Sequence, residues 1–422
     1  MRQIPRDFLF YKFAAYGFMK NLKFFDPFII LFFLEMGINY VQIGTLFAIR
    51  AIVTNLLEMP TGVIADAFGR RRSLIASFGF YIVSFLIFYL FPGFAQYIAA
   101  MVMFSVGEAF RTGTHKAMIL RYLELKNISH LKVQYYGHTR AASQLGSAIS
   151  SLIAAAIVIM NQGSYRIVFL ASVVPYVLEL FLVYSYPKEL DGPDQPEQAL
   201  PVPARIRIKK VVSESLTIFL DRTVLKSLMN SASYGGLYKG IKDFIQPMLK
   251  ATALSLPLFL TVGDETRSVL VVGVAYFFIY LANSFSSSRA AHLAHYLKSV
   301  PRGMNVTYAI GVLFLLASGV LFWLKYYTLS VLCYIMLYIG ENLRKPLNIS
   351  YISENMASGV LATGLSGESQ LKSIFTAIFS FAMGFLAHVA GIGPAIVIIA
   401  VAALALYPLI RIVPSDETEG SI

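Results

Sequence analysis

The sequence predicts an all-α membrane protein with twelve transmembrane helices in two pseudo-symmetric six-helix bundles. Three observations predict it: the composition, a series of apolar runs of spanning length, and a repeat relating the two halves of the chain. Of 422 residues, 57% are hydrophobic and 14% are charged, with a mean hydropathy of +0.66. A soluble domain carries about a quarter charged residues. Twelve spans of about 20 residues would occupy about 240 positions, a share close to the hydrophobic fraction. This composition excludes a soluble enzyme, a disordered chain and a disulfide scaffold. Long apolar runs argue against an outer-membrane barrel, whose strands alternate. The single cysteine, Cys333, rules out a disulfide within the chain and reads as a small core residue.

Met1–Asp7 is too short and too charged for a cleaved signal, so the first apolar run reads as a permanent helix. The twelve spans fall at roughly 9–34, 43–65, 74–91, 95–120, 140–160, 166–186, 222–249, 268–288, 305–324, 328–350, 369–390 and 392–412. In lipid each must satisfy its own backbone, so each is expected to be a helix. The one long polar, proline-rich stretch runs from Pro187 to Ser215, with Pro193, Pro196, Pro201 and Pro203 ahead of Arg205, Arg207, Lys209 and Lys210. It divides the chain into an N-terminal bundle (1–187), a cytoplasmic linker (188–215) and a C-terminal bundle (216–422).

The net charge is +12, from 35 Lys and Arg against 23 Asp and Glu. On a soluble protein that would suggest nucleic acid; here the position of the charge matters more. Arg2 and Arg6 precede the first span. Arg70 to Arg72 follow the second, Arg121, Lys126 and Lys132 the fourth, and Arg205 to Lys210 the sixth. Arg289, Lys298 and Arg302 follow the eighth. The opposite loops near Asn39, Gly93 and Gly163 carry almost no basic residues; the exception is the 250–267 loop, with Lys250 and Arg267. By the positive-inside rule both termini and the linker are cytoplasmic, in the plasma (inner) membrane.

The halves resemble each other in sequence. Tyr16-Gly17 leads to Lys20, Lys23, Asp26 and Pro27; Tyr234-Gly235 leads to Tyr238, Lys239, Lys242, Asp243 and Pro247. Gly107-Glu108-Ala109-Phe110-Arg111 in the fourth span matches Gly340-Glu341-Asn342-Leu343-Arg344 in the tenth. Ser143-Gln144-Leu145-Gly146-Ser147 in the fifth matches Ser369-Gln370-Leu371-Lys372-Ser373 in the eleventh. The offset is six spans, an even number, so paired helices run the same way: a parallel repeat about the membrane normal.

After the second span comes Gly62-Val63-Ile64-Ala65-Asp66-Ala67-Phe68-Gly69-Arg70-Arg71-Arg72. This resembles the loop signature of the major facilitator superfamily, with Gly, Asp, Gly and a basic run at the family spacing. Spans, linker and repeat extend the resemblance over the whole chain and imply the family's fold. It also implies transport by alternating access, with Asp66 and Arg70 as a charge relay in a gating loop that includes Gly62, Gly69, Arg71 and Arg72. Independently of the family, Gly62 would permit close helix approach and Gly69 a tight turn. The marks of the drug/proton antiporters, peptide transporters and sugar porters are missing, so the resemblance names no substrate.

Charge at mid-membrane costs about 2.5–3.5 kcal/mol per group on the insertion scale and marks a polar cavity or a pair. Lys20, Lys23, Glu108, Arg111, Lys239, Lys242, Asp243, Glu341 and Arg344 lie near the middle of spans 1, 4, 7 and 10, with Asp26 one turn further out. In the family these spans line the central cavity. Six basic groups against four acidic ones suggest an anion site between the halves. Lys20, Lys23, Arg111, Lys239, Lys242 and Arg344 would bind the substrate, with Tyr16, Tyr234 and Tyr238 as further contacts. Asp26, Glu108, Asp243 and Glu341 would pair with them or carry a coupling proton. The plainer alternative is a set of structural ion pairs: Glu108 with Arg111, Glu341 with Arg344, Lys23 with Asp26 and Lys239 with Asp243. Glu179 has no evident partner. His292 and His295 have helical spacing but no acidic partner, so no metal is expected.

The expected function is secondary active transport of a small organic anion, carboxylate or phosphate-bearing, as symport or antiport and with a proton as one candidate coupling ion. There is no ATP-binding loop, no cofactor and no nucleophile–histidine cluster, so an enzyme is not expected. The expected partners are the anionic substrate and the lipid bilayer, without nucleic acid, and the chain is expected to be a monomer. The alternatives are efflux of a lipophilic or zwitterionic compound, and a non-transporting sensor on the same fold.

Overall fold

The computed structural model describes residues 6–191, 222–257, 261–296, 299–355 and 361–412. Residues 192–215 of the expected linker, Arg2, Lys298 and the side chains of His292 and His295 lie outside the described residues. The described part is helical throughout, without strands. The helices are α1 (Phe8–Met19), α2 (Ile29–Glu35), α3 (Tyr40–Phe68), α4 (Arg70–Leu90), α5 (Phe94–Arg111), α6 (Thr114–Leu125), α7 (Lys132–Met160) and α8 (Ile167–Tyr184). They continue as α9 (Arg222–Ile241), α10 (Ile245–Ser255), α11 (Asp264–Tyr296), α12 (Val300–Trp323), α13 (Tyr327–Asn355), α14 (Leu361–Ala390) and α15 (Ile392–Ile410).

Among the described residues, α3, α4, α7, α8, α11, α12, α14 and α15 contain segments long and apolar enough to cross a membrane. They match spans 2, 3, 5, 6, 8, 9, 11 and 12. The four remaining spans are those that carry the charged centre, and three of them are not the single helices expected. Span 1 is α1 and α2 joined through a short 3-10 turn, Asp26–Phe28. Span 7 is α9 and α10 joined through another, Lys242–Phe244. Span 4 breaks between Arg111 and Thr114, where Gly113 has φ +81°. The breaks have local causes. Pro27 has no N–H to donate and so sits at the start of a turn rather than within a helix. Pro247 is the third residue of α10, where a missing donor costs nothing. Span 10 stays continuous as α13, with Pro346 inside it.

Backbone packing groups the chain into two units. One comprises Met1–Ile38, Ile52–Ala204 and Val262–Leu281; the other comprises Asn39–Ala51, Arg205–Thr261 and Ala282–Ile422. Within the first, α4 packs on α5 and α8, and α1 on α7. Within the second, α12 packs on α13 and α15, and α9 on α14. These are the same pairings six spans apart, so the sequence repeat is also a packing repeat.

Small residues meet where helices cross in both units, and ring stacking is concentrated in the first. The first unit is built on rings: Phe169 lies 4.6 Å from Phe32 and 4.7 Å from Phe88, with Phe25 stacked on its other side. Such pairs add about 0.5–1.5 kcal/mol each beyond their buried area. The second shows the use of small residues where helices cross. Gly319 of α12 lies against the Gly393 carbonyl of α15, and Ser318 and Ser330 exchange hydrogen bonds with each other's carbonyls. Close approach of this kind is the usual basis of helix association in lipid.

Candidate substrate site

In the first unit, α1 stops at Met19 and leaves Lys20 as its C-cap. The carbonyl of Lys20 is taken up from another helix: Tyr176 of α8 donates its hydroxyl to it at 3.2 Å. Lys20 and Lys23 thus follow the negative end of one short helix, and Asp26 opens the next segment at its positive end. Part of the Lys-x-x-Lys-x-x-Asp pattern is therefore explained by the break itself. Tyr280 lies 3.4 Å from Asp26 Oδ2. Lys23 Nζ sits 5.7 Å from the centre of the Phe104 ring. Lys20 Nζ sits 5.8 Å from the centre of the Tyr16 ring and makes no hydrogen bond or ion pair among the described residues.

Two helices away, Arg111 and Glu108 form the ion pair the sequence anticipated. Tyr81 of α4 closes the triangle: it donates to Glu108 Oε2 at 2.6 Å and accepts from Arg111 Nε at 3.1 Å. Tyr16 is buried and stacks face to face on His115, with centroids 3.5 Å apart. His115 Nε2 lies 3.2 Å from the Tyr186 hydroxyl.

The second unit repeats the break but not the pairing. Tyr334 and Tyr338 of α13 donate to the freed carbonyls of Ile241 and Lys242, at 2.5 and 2.6 Å. Lys242 pairs with Asp243 at 2.5 Å. Tyr238 meets Tyr338 edge-on, and Lys239 is exposed. Arg344 has no exposed surface. Its guanidinium donates to the Asn230 carbonyl (3.1 Å), Asn230 Oδ1 (2.6 Å), Thr307 Oγ1 (3.2 Å) and the Met304 carbonyl. It also lies 4.6 Å from the buried Tyr234 ring. The Glu341–Arg344 ion pair of the plainer alternative is therefore not formed. Glu341 instead lines a small pocket that brings Ser231, Lys345, Asn348, Glu368 and Lys372 together with apolar side chains, and its Oε2 has no partner among the described residues. Lys372 pairs with Glu368 at 2.7 Å, and Ser231 donates to the same carboxylate oxygen at 2.9 Å.

In the loop after α3, Arg70 lies 3.7 Å from Asp66. Gly69 has φ +98°, the tight turn expected of it. The close helix approach expected at Gly62 is not found: a side chain there would meet nothing within 4 Å. Arg72 is exposed, while Arg71 reaches the Tyr186 carbonyl at 3.1 Å. The partner missed in the sequence is Asp191, whose Oδ1 accepts the Arg71 N–H at 2.6 Å.

Other residues of these sites were also missed: Tyr81, Tyr176, Tyr334, Tyr338, Glu368 and Lys372. The i, i+4 spacing of Glu368 and Lys372 was a readable signal. The tyrosines carried none, because each acts on a helix far away in sequence.

The chain belongs to the Major Facilitator Superfamily, whose family model matches residues 13–387. A curated relative, "Uncharacterized MFS-type transporter YxaM" of Bacillus subtilis (strain 168), is 29% identical over 115 residues; the match covers 27% of this chain and 28% of the relative. Among solved structures, a mutant form of the nucleoside transporter NupG superposes with a TM-score of 0.76 at 11% identity, over 95% of this chain and 98% of that one. A POT family transporter in complex with 5-aminolevulinic acid gives 0.71 at 14% identity, over 95% of each chain. A bacterial homolog of the human lysosomal transporter Spinster gives 0.71 at 14% identity, over 95% and 96%. At these identities the likeness is one of fold. The chain is an integral membrane protein of a transporter family.

Proposed function

We propose that the protein is a secondary transporter of a small organic anion, carboxylate or phosphate-bearing, in the plasma (inner) membrane with both termini cytoplasmic. The observation that carries this reading is Lys20, half-buried at a helix break, whose ammonium group makes no hydrogen bond or ion pair among the described residues. Arg111 and Lys23 are among the charges that act on it, so its surroundings are not short of positive charge. An incoming anion would relieve that repulsion. In this reading Lys20, Lys23 and Arg111 contact the substrate, with Tyr16 beneath Lys20. Lys239 and Lys242 are secondary contacts, and Arg344 with Tyr234 holds helices rather than ligand. Asp66 and Arg70 serve the conformational cycle.

The test is a thermal-shift panel of carboxylates, sulfonates and phosphate esters on purified protein, with flux in proteoliposomes for any compound that binds. Wild type should be stabilised by at least one anion, and Lys20→Ala should lose that response while keeping its own melting temperature. If no anion stabilises wild type, or Lys20→Ala responds equally, the anion reading fails. Binding without flux would instead favour a sensor. Slowed flux with unchanged affinity in Lys20→Ala would favour lipophilic or zwitterionic efflux, with the lysine as a gate.

A further inference from the structure

The first unit also holds a charge-bearing group that the anion site does not use. Glu179, on α8, has no exposed surface, and neither carboxyl oxygen has a hydrogen-bond partner among the described residues. The charged groups that act on it are Lys20, the C-cap of α1, and Arg111 of α5. Arg111 is already committed to Glu108 and Tyr81. The titratable groups around the same cluster are Tyr16 of α1, Lys23 beyond its end, His115 of α6, Glu108 of α5, Tyr176 one turn before Glu179 on α8, and Tyr186 just past the end of α8. Two of these rings are fixed elsewhere: Tyr176 donates to the Lys20 carbonyl and Tyr186 faces His115. One unit thus contains a cation and a carboxyl group that share an electrostatic neighbourhood and have no partner of their own. A carboxylate with neither water nor donors around it carries a large desolvation cost, which a bound proton removes.

We propose that Glu179 is a proton-binding site that governs the anion affinity of Lys20, so that proton and anion bind together. The proposal rests on the anion reading above. With the proton bound, Glu179 is neutral and Lys20 is open to the substrate. When the proton leaves to water, the carboxylate adds a counter-charge for Lys20 beside Glu108, which is already paired with Arg111, and competes with the anion. Proton and anion therefore favour each other's binding, which is the thermodynamic requirement for symport. Glu179 lies on span 6, outside the four spans with the central charges, so it falls outside the acids expected to couple protons.

The test uses sulfate and methanesulfonate, whose charge does not change across the accessible pH range. Wild-type affinity should fall as pH rises, approaching about tenfold per pH unit once Glu179 ionises. Glu179→Gln keeps the shape of the protonated acid and should bind the probe with little pH dependence. An equal pH dependence in Glu179→Gln would overturn the proposal and assign the effect to Lys20 itself. A readout without ligand separates the two readings. Infrared spectra of wild type should show a protonated carboxylic acid band that Glu179→Gln lacks. Absence of that difference overturns the proton site whatever the probes do. If the band is present but neither probe binds, the coupling fails with the anion reading while the proton site stands. Lys20→Met, which leaves Glu179 in place, should keep the band and lose the probe response at every pH; a retained response overturns the link between the two residues.

Discussion

The motif Gly-Glu-x-x-Arg occurs twice at corresponding places, and the two copies end in different structures. In α5, Glu108 and Arg111 face each other and share Tyr81, and both side chains keep about a fifth of their surface. In α13, Arg344 is wholly enclosed and turned toward Asn230, Thr307 and a carbonyl, while Glu341 is left beside Lys372 and Glu368. The helical spacing is identical, so spacing alone decided neither outcome. What differs is the third helix. Asn230 offers Arg344 two oxygen acceptors, whereas Tyr81 bridges the partners of the first copy and holds them together. Between the units, the same motif serves a charged site once and a packing joint once.

The largest effect should come from the packing joint. Arg344→Met removes the only group that satisfies Asn230 Oδ1 in the described structure, and several buried acceptors with it. A loss of about 3–5 kcal/mol is expected, read as a large fall in melting temperature in detergent. Arg111→Met should cost about 1–3 kcal/mol, because its side chain is less enclosed, yet it should abolish the anion response. Equal stability losses would break the contrast between the two copies.

The paired glycines sharpen it further. A methyl on Gly17 would meet the Thr139 carbonyl at 2.8 Å, whereas on Gly235 it would meet the end of the Lys372 chain at 2.5 Å. Backbone cannot move aside and a lysine chain can. Gly17→Ala should therefore cost about 1–3 kcal/mol, and Gly235→Ala less, through disturbance of the Lys372–Glu368 pair. Tyr81→Phe should be milder, about 1 kcal/mol. Its more telling readout is transport, since it releases Glu108 and Arg111 from their common partner.

The fold was legible because it rests on signals within single segments: apolar length, basic loops and the spacing of repeated residues. The charged spans were found the same way. The breaks at Lys20 and Lys242 were not read, although Pro27 and Pro247 mark them, because apolar flanks on both sides look like one continuous run. The fate of Arg344 could not be read either. It depends on Asn230, more than a hundred residues earlier, and no periodicity connects the two. Glu179 was visible as a charge in an apolar span, but its isolation is a property of packing.

The smallest predicted effect concerns helix starts, where the two units again solve one problem differently. The first turn of α12 is capped by its own Ser299, whose side chain accepts from Arg302 N–H, with Pro301 in that turn. This arrangement can be read from four consecutive residues. Its counterpart α4 begins after Gly69, which has no side chain to offer, and Asp191 accepts the Arg71 N–H from beyond span 6. A Cβ at Gly69 would approach the Asp191 carboxyl at 3.3 Å, so a glycine there also makes room for the remote cap. Asp191→Ala should lower stability by about 0.5–2 kcal/mol, the usual worth of an N-cap. It should also increase proteolysis between spans 6 and 7, because that end of the chain loses its tether. Gly69→Ser in the same background should not restore stability. Although serine is a good local cap, φ +98° is closed to it without strain. Recovery of the melting temperature by that serine would mean that Asp191 caps α4 without tethering anything, and that the loop can turn in another way.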